Sequence, residues 1–363
     1  MIYLDNAAST PLHECILEHS HFGNAGSRTH PVGLNLKSAV ERSRESCARL
    51  LGIKPEQLIF TSGATESLML LIQGLRRNGS INWGVVETEH KAALNQVLDV
   101  APNATRLKVN RNGIVQLEGN IPPGVGVSMS VNNETGVINE VWNRLKKAGA
   151  AFTIADCTES IGKLDFNLTD SRIDFMVGSA HKFHGPPGCG FIAVSGVDLW
   201  DELKSPSVGG GQERGVRSGT LNASAIIQTG QVAKWLFENK KAYQDHLRSM
   251  QAAFEAKASE IEGAEILGSV VKRAPHITSL YIPGVDSEAL VAAVNQKIAI
   301  STGSACTSHS IEPSHVLLAM DPDIEKAEST IRVSYGWQNT IEEVNEAAEV
   351  IATAVHEIRS FFQ

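Results

Sequence analysis

No stretch of the 363 residues approaches the roughly 18 consecutive apolar positions that a membrane-spanning helix needs. The N-terminus, MIYLDNAASTPL, lacks the basic region followed by an apolar one that marks a secretory signal, so none is expected. Cysteine is scarce. Its five residues, Cys15, Cys47, Cys157, Cys189 and Cys306, are widely spaced, odd in number and free of any CxxC pair. That pattern fits neither a disulfide framework nor a zinc site, and it favours a reducing cytoplasm with no bound metal. A basic excess is also missing: the net charge is −8. Direct binding to nucleic acid or to an anionic membrane is therefore not expected. Repeats, low-complexity tracts and long charge runs are absent as well.

What is present is an ordinary globular composition, 42% hydrophobic, long enough for two domains at about 100–200 residues each. Apolar residues at helical spacing run from Lys37 to Leu51 and stop at Gly52. Leu58 to Thr61 reads as a strand, followed by Ser62-Gly63-Ala64-Thr65 and a helix to about Gly74. Further short strands are expected at Gly84–Glu87, Val127–Val131, Phe152–Ala155, Phe175–Val177 and Gly190–Val194. Strands alternating with helices imply βαβ units and a mostly parallel sheet covered on both faces. After about Gly230 the pattern changes. Gln231 to Glu262 suits a long connecting helix, and Ile341 to Phe361 is again helical. The expected division is a large domain over 15–245 and a smaller α+β domain made of 1–14 plus 246–363.

Three loops concentrate chemistry at what should be the carboxyl ends of strands, where open α/β sheets bind ligands. Ser62-Gly63-Ala64-Thr65-Glu66-Ser67 opens a helix; its small residues suit either a phosphate cradle or a simple helix cap. Asp156 closes a strand. It suits a cap for the next helix, or an anionic partner that keeps a heteroaromatic nitrogen protonated, as pyridoxal phosphate requires. Lys182, in Ser179-Ala180-His181-Lys182 with a Gly/Pro-rich run behind it, is either a structural turn lysine or a desolvated amine fit for Schiff-base chemistry.

Taken together, these blocks resemble the class V aminotransferase fold of pyridoxal-phosphate enzymes, and within it the cysteine desulfurases of the NifS/IscS type, group I. The matching segments run from Tyr3–Thr10 through Phe22-Gly23-Asn24, Thr61–Ser67, Thr88-Glu89-His90-Lys91, Val131–Glu134, Asp156–Lys163 and Ser179–Lys182. They continue through Gly209–Thr220 and Gly303–Ser308 to Ile331–Ser334, and so span nearly the whole chain. The resemblance implies an aspartate-aminotransferase-like, fold type I architecture. It implies that Lys182 carries the cofactor and moves the substrate α-proton, that Asp156 pairs with the ring nitrogen, and that His90 stacks on the ring and assists proton transfer. Asn133 would reach the phenolic oxygen and the substrate, and Ala64, Thr65, Ser179 and His181 would hold the phosphate. Thr220 would reach the phosphate of a second copy, making a homodimer with shared sites. Arg332 would grip the carboxylate of L-cysteine as a two-pronged fork. Cys306, in a run of small polar residues at about 301–315, would receive the sulfur as a persulfide and pass it to a sulfur-acceptor protein.

Several positions depart from that pattern. Met69, Ala25 and Ala180 replace the usual Asn, Pro and Gly. The main departure is Glu159, which stands where a Gln usually donates to the phenolic oxygen of the cofactor. An ionised Glu cannot donate and would repel a phenolate, so Glu159 is expected to stay neutral, unless it turns away or the electronics of the cofactor are altered. A selenocysteine lyase, or a non-catalytic paralogue acting as a scaffold for a sulfur carrier, remains an alternative. The downstream route is equally open: iron–sulfur cluster assembly, tRNA thiolation and DNA phosphorothioation all draw on this enzyme type.

Overall fold

The structure, a computed structural model, describes residues 1–16, 23–27, 29–76, 81–117, 124–165, 168, 170–302 and 313–361. Strand β1 (Ile2–Tyr3) opens the chain and helix α1 (Pro31–Leu51) follows. Proline in the first turn, His30 accepting from the Gly33 amide at 3.2 Å, and Gly52 at φ 68° set the ends of α1. The helix begins six residues before the apolar periodicity does, because its first turn places Val32 and Leu34 on the exposed side, out of step with the buried stripe.

The chain then alternates through β2 (Leu58–Thr61), α2 (Ala64–Arg76), β3 (Asn82–Val86), α3 (Lys91–Val100), β4 (Thr105–Leu107) and β5 (Gly124–Met129). Next come α4 (Trp142–Lys147), β6 (Phe152–Asp156), β7 (Phe175–Ser179) and β8 (Gly190–Val194). These strands form a seven-stranded sheet in the order β2-β8-β7-β6-β5-β3-β4. Only β8 runs against its neighbours; the others point the same way. Both faces are covered, and the period-2 rule divides the strands between them. Ile154, Phe175, Val177 and Ile192 pack with Leu68, Leu71 and Val97 of α2 and α3. Ala155, Met176, Phe191 and Ala193 pack on the other face with Val40 and Cys47 of α1. Each buried Leu, Ile, Val or Phe contributes roughly 1.5–3 kcal/mol relative to exposure. The edge strand β4 has no counterpart in the sequence reading; at three residues, two of them exposed, it carries no alternating pattern to find.

Helix α5 (Ala223–Ala258) is one continuous rod of 36 residues, capped by Asn222 accepting from the Ala225 amide at 3.2 Å. It lies along α1 at a separation that requires Gly230, where an added Cβ would sit 2.5 Å from the Ser43 Cβ. Position 245, the expected domain boundary, falls inside this helix, so the chain passes it without a linker. Beyond it come β9 (Glu265–Ile266), β10 (Ile277–Tyr281), α6 (Ser287–Val294), β11 (Ile298–Ala299) and β12 (Ser301–Thr302). The chain closes with α7 (His315–Met320), α8 (Ile324–Glu328), β13 (Thr330–Ser334) and α9 (Ile341–Phe361). Strands β12-β13-β10-β9 make an antiparallel sheet. The N-terminus joins this end of the molecule: β1 pairs with β11, and Asp5 bridges to Ser334. Residues 6–13 then run back to the large sheet, where the Thr10 amide bonds the His181 carbonyl at 2.8 Å.

Candidate active site

The carboxyl ends of β2, β3, β5, β6 and β7 open on one cavity of about 460 Å³. Its wall contains Ala64, Thr65, His90, Asn133, Asp156, Glu159, Ser179, His181 and Lys182. The three loops read from sequence, together with the turns after β3 and β5, therefore converge.

The turn after β2 is shaped by hydroxyls and by a missing side chain. Thr61 Oγ1 lies 2.8 Å from Ser67 Oγ and accepts from the Gly63 amide at 3.3 Å. A Cβ on Gly190 of β8 would fall 2.5 Å from the Gly63 Cα, so glycine there lets the strand pass beneath the turn. The turn feeds directly into α2, whose first amides face no helical carbonyl and whose dipole favours an anion. Asp156 ends β6 almost fully buried. Its Oδ1 accepts from the Thr158 amide at 3.0 Å, so the acid caps a turn and also faces the cavity. His90 caps α3, its Nδ1 accepting from the Ala92 amide at 3.1 Å. Burial lowers its pKa more than the Asp156 charge raises it, which leaves an uncharged ring with its proton on Nε2. His181 is lowered to about 4, first by burial and then by the Lys182 charge.

Lys182 ends a one-turn 3₁₀ helix, Ala180–Lys182, directly after β7. Its Nζ donates to Glu159 Oε1 at 2.8 Å and to the Ala7 carbonyl. Behind it His184 holds a left-handed φ of 67°, fixed by the Pro11 carbonyl at 3.0 Å and the Tyr243 hydroxyl at 3.1 Å. Strain of this kind costs on the order of 1–3 kcal/mol and persists only where the surroundings impose it.

The expectation of a neutral Glu159 is overturned. Glu159 is buried, and its Oε2 takes Lys163 Nζ and His276 Nε2, each at 3.1 Å, while Oε1 takes Lys182. Burial alone would push its pKa up. Lys182, Lys163 and the His276 hydrogen bond outweigh that and hold it well below the usual carboxylate range. The side chain is ionised and faces the lysine. Neither Lys163 nor His276 was identified from sequence; Lys163 lies four residues from Glu159 in a turn, and His276 is distant in the chain, so only the fold joins them.

Two expected residues stand apart. Arg332 is fully buried and does not line the cavity. Its Nη2 donates to Asp5 Oδ1 at 2.8 Å and to Ser301 Oγ at 3.3 Å, and its Nη1 to the Asn133 carbonyl at 2.9 Å. The fork expected to be open for a substrate carboxylate thus holds a carboxylate of the chain itself, at a position that no pattern in the sequence singles out. Thr220 is exposed and away from the cavity wall. Cys306 lies outside the described residues.

A phosphorylated heteroaromatic aldehyde suits this donor set. An amine, a buried acid and a helix N-terminus flanked by Thr65, Ser179 and His181 meet around one space. Two buried polar atoms in its wall, Asn133 Oδ1 and Thr158 Oγ1, have no partner among the described residues. Orphans of this kind are costly unless something else satisfies them.

The class-V aminotransferase family model matches residues 2–346. The chain belongs to that family. It is accordingly a pyridoxal-phosphate-dependent enzyme of fold type I. The cysteine desulfurase IscS of Pseudomonas fluorescens is 35% identical, with 99% of this chain and 93% of that protein covered. The IscS of Pectobacterium carotovorum is 34% identical over the same shares. Among solved structures, a NifS-like protein superposes with a TM-score of 0.87 at 28% identity, covering 99% of both chains. The DndA structure from Streptomyces lividans superposes at 0.73 with 31% identity, covering 87% of this chain and 92% of the other.

Proposed function

We propose that this chain is a cysteine desulfurase, which takes sulfur from L-cysteine, releases L-alanine and leaves a persulfide on Cys306. The observation that carries the reading is the meeting of Lys182, Asp156 and the start of α2 on one cavity in a chain whose full-length relatives are desulfurases. Bound pyridoxal phosphate would supply an electron sink for the substrate α-carbon. Lys182 would hold the cofactor and then move the α-proton, Asp156 would face the ring nitrogen, and Asn133 the ring oxygen. Thr65, Ser179 and His181 would hold the phosphate at the start of α2. His90, uncharged with its Nε2 proton free, can pass a proton at the substrate sulfur. The Cys306 thiolate would attack that sulfur: an S–S bond forms, the Cβ–S bond breaks, and the carbon takes up a proton to become alanine.

The thiols supply independent support. Burial raises the pKa of Cys47, of Cys157 to about 12 and of Cys189 to about 11, and Cys15 is raised as well. None of these four is a ready nucleophile, which favours Cys306. Their free state also fits a reducing, cytoplasmic setting.

A homodimer completes the proposal, with Thr220 reaching across to the phosphate of the second copy. In support, Thr220 is exposed, and its loop is pinned by Arg217 to Glu66 at 3.1 Å, at the rim of the phosphate cradle. The persulfide would pass to an acceptor protein serving iron–sulfur assembly, tRNA thiolation or DNA phosphorothioation. The test is incubation with L-cysteine. Wild type should form alanine and protein-bound persulfide, and Cys306→Ser neither at a comparable rate. Alanine without persulfide in wild type would point to a lyase instead.

A further inference from the structure

A buried carboxylate held by three nitrogen donors is costly to assemble, and Glu159 is such a group. Glu159, Lys163 and His276 are almost wholly excluded from water, with side-chain exposures of 4%, 1% and 0%. Removing ions from water costs several kcal/mol each, and well-packed apolar side chains would often hold the fold as firmly. The geometry indicates what the cluster does. Lys163 and His276 converge on Oε2 at 3.1 Å, which leaves Oε1 directed at Lys182 Nζ at 2.8 Å.

We propose that Glu159 is a fixed counter-charge for the Lys182 nitrogen, locked in place by Lys163 and His276, and that it stabilises positive charge on that nitrogen once it is joined to the cofactor. This deepens the functional reading above and rests on it. Glu159 is a positioning residue, since it acts through Lys182 and does not itself react.

The groups around it fit the assignment. Lys163, from the turn after β6, is the second cationic group; burial lowers its pKa and the Glu159 carboxylate opposes that fall. His276, from the segment before β10, is lowered to about 4, first by burial and then by Lys163; it is therefore uncharged and donates through Nε2. His90 and His181 sense the Glu159 charge from across the cavity and are themselves uncharged. The Tyr243 hydroxyl, on α5, is pushed up by burial and by Glu159, so it adds no charge. Asp156, at the end of β6, and Glu66, in the first turn of α2 and paired with Arg217, are the other carboxylates in the cavity wall. Lys163 and Lys182 thus share one carboxylate. Weakening either arm of that competition should move the Lys182 nitrogen in opposite directions, which a purely structural role for Glu159 would not do.

The test is a spectrophotometric pH titration of the full-length protein loaded with pyridoxal phosphate, reading the unreduced chromophore; borohydride reduction of a separate sample establishes that it is attached at Lys182. In Glu159→Gln the midpoint at which the chromophore loses its proton should fall by about one unit, a tenfold loss of proton affinity. In Lys163→Met it should rise, because the carboxylate then serves Lys182 alone. Wild type should stay protonated through neutral pH. An unmoved midpoint in Glu159→Gln, a lowered one in Lys163→Met, or a wild-type chromophore already deprotonated at neutral pH overturns this proposal alone. If either variant fails to fold, the other and wild type decide. No borohydride-fixable chromophore in wild type overturns the functional reading itself, and this proposal with it.

Discussion

Arg332 Nη2 lies 2.8 Å from Asp5 Oδ1, joining a strand near the end of the chain to its fifth residue. The same carboxylate oxygen accepts from Ser301 Oγ at 2.7 Å, and the guanidinium reaches the carbonyl of Asn133, in the cavity wall, at 2.9 Å. One planar cation therefore ties the N-terminus, the strand that leads toward Cys306 and the substrate side of the cavity together. A lysine, a point charge without the planar fork, cannot serve those partners at once. Arg332→Lys should therefore leave buried acceptors unmet and cost about 1–3 kcal/mol of stability. Denaturant unfolding checks this, and an unchanged midpoint would mean that the tie is incidental.

Glu134 should make stability depend on pH. It is fully buried, accepts from the Ser314 hydroxyl, and is raised by burial from 4.5 to about 7. A carboxyl raised in the folded state favours its protonated form there. Its contribution is complete below the unfolded value and is lost as pH climbs through about 7. The difference corresponds to roughly 3 kcal/mol at most. Glu134→Gln, which keeps an acceptor for Ser314, should remove that loss and stabilise the protein above neutrality. Denaturant unfolding at several pH values measures it, and identical pH profiles would refute the assignment.

Arg44 and Glu213 make a buried two-pronged ion pair, with Nη1 and Nη2 at 2.8 and 2.7 Å, and Glu213 Oε2 also takes the Phe60 amide at 2.6 Å. This pair anchors the loop that carries Thr220, whose Glu213 and Arg214 sit at φ 46° and 60°. Glu213→Ala leaves the buried Arg44 with the half-exposed Glu41, 3.1 Å from its Nε, as its remaining charged partner, and should cost at most about 3–5 kcal/mol in unfolding experiments. A loss below about 1 kcal/mol would show that the pair is incidental.

The large sheet was legible from sequence because buried parallel strands read as short apolar runs and their turns are marked by glycine and hydroxyl residues. Leu58–Thr61 and Gly190–Val194 match the observed strands at both ends, and Ile341–Phe361 matches the last helix. The small sheet was not. Two of its four strands, Ser301–Thr302 and Glu265–Ile266, are too short for periodicity to register, and Ile277–Tyr281 and Thr330–Ser334, five residues each, were not read as strands. At the site, residues borne on strand ends could be named in advance. The ones missed, Lys163, His276 and Asp5, act through partners that only the fold brings near, and a charge's neighbours are a property of the fold. Glu159 was noticed for its departure from pattern, yet its ionisation could not be judged without seeing Lys163 and His276 beside it.

Thiol chemistry offers a simple check on the proposed nucleophile. Brief alkylation of the native protein should leave Cys47, Cys157 and Cys189 unmodified and label Cys306, as read by mass mapping. Modification of any of the first three before Cys306 would contradict the assignment.

The most direct test concerns the amine after β7. The protein is loaded with pyridoxal phosphate, reduced with borohydride, digested, and the adduct located. The predicted result is a single modified peptide with the pyridoxyl group on Lys182, abolished in Lys182→Ala. An adduct on Lys163 or another lysine, or no adduct at all, would contradict the account.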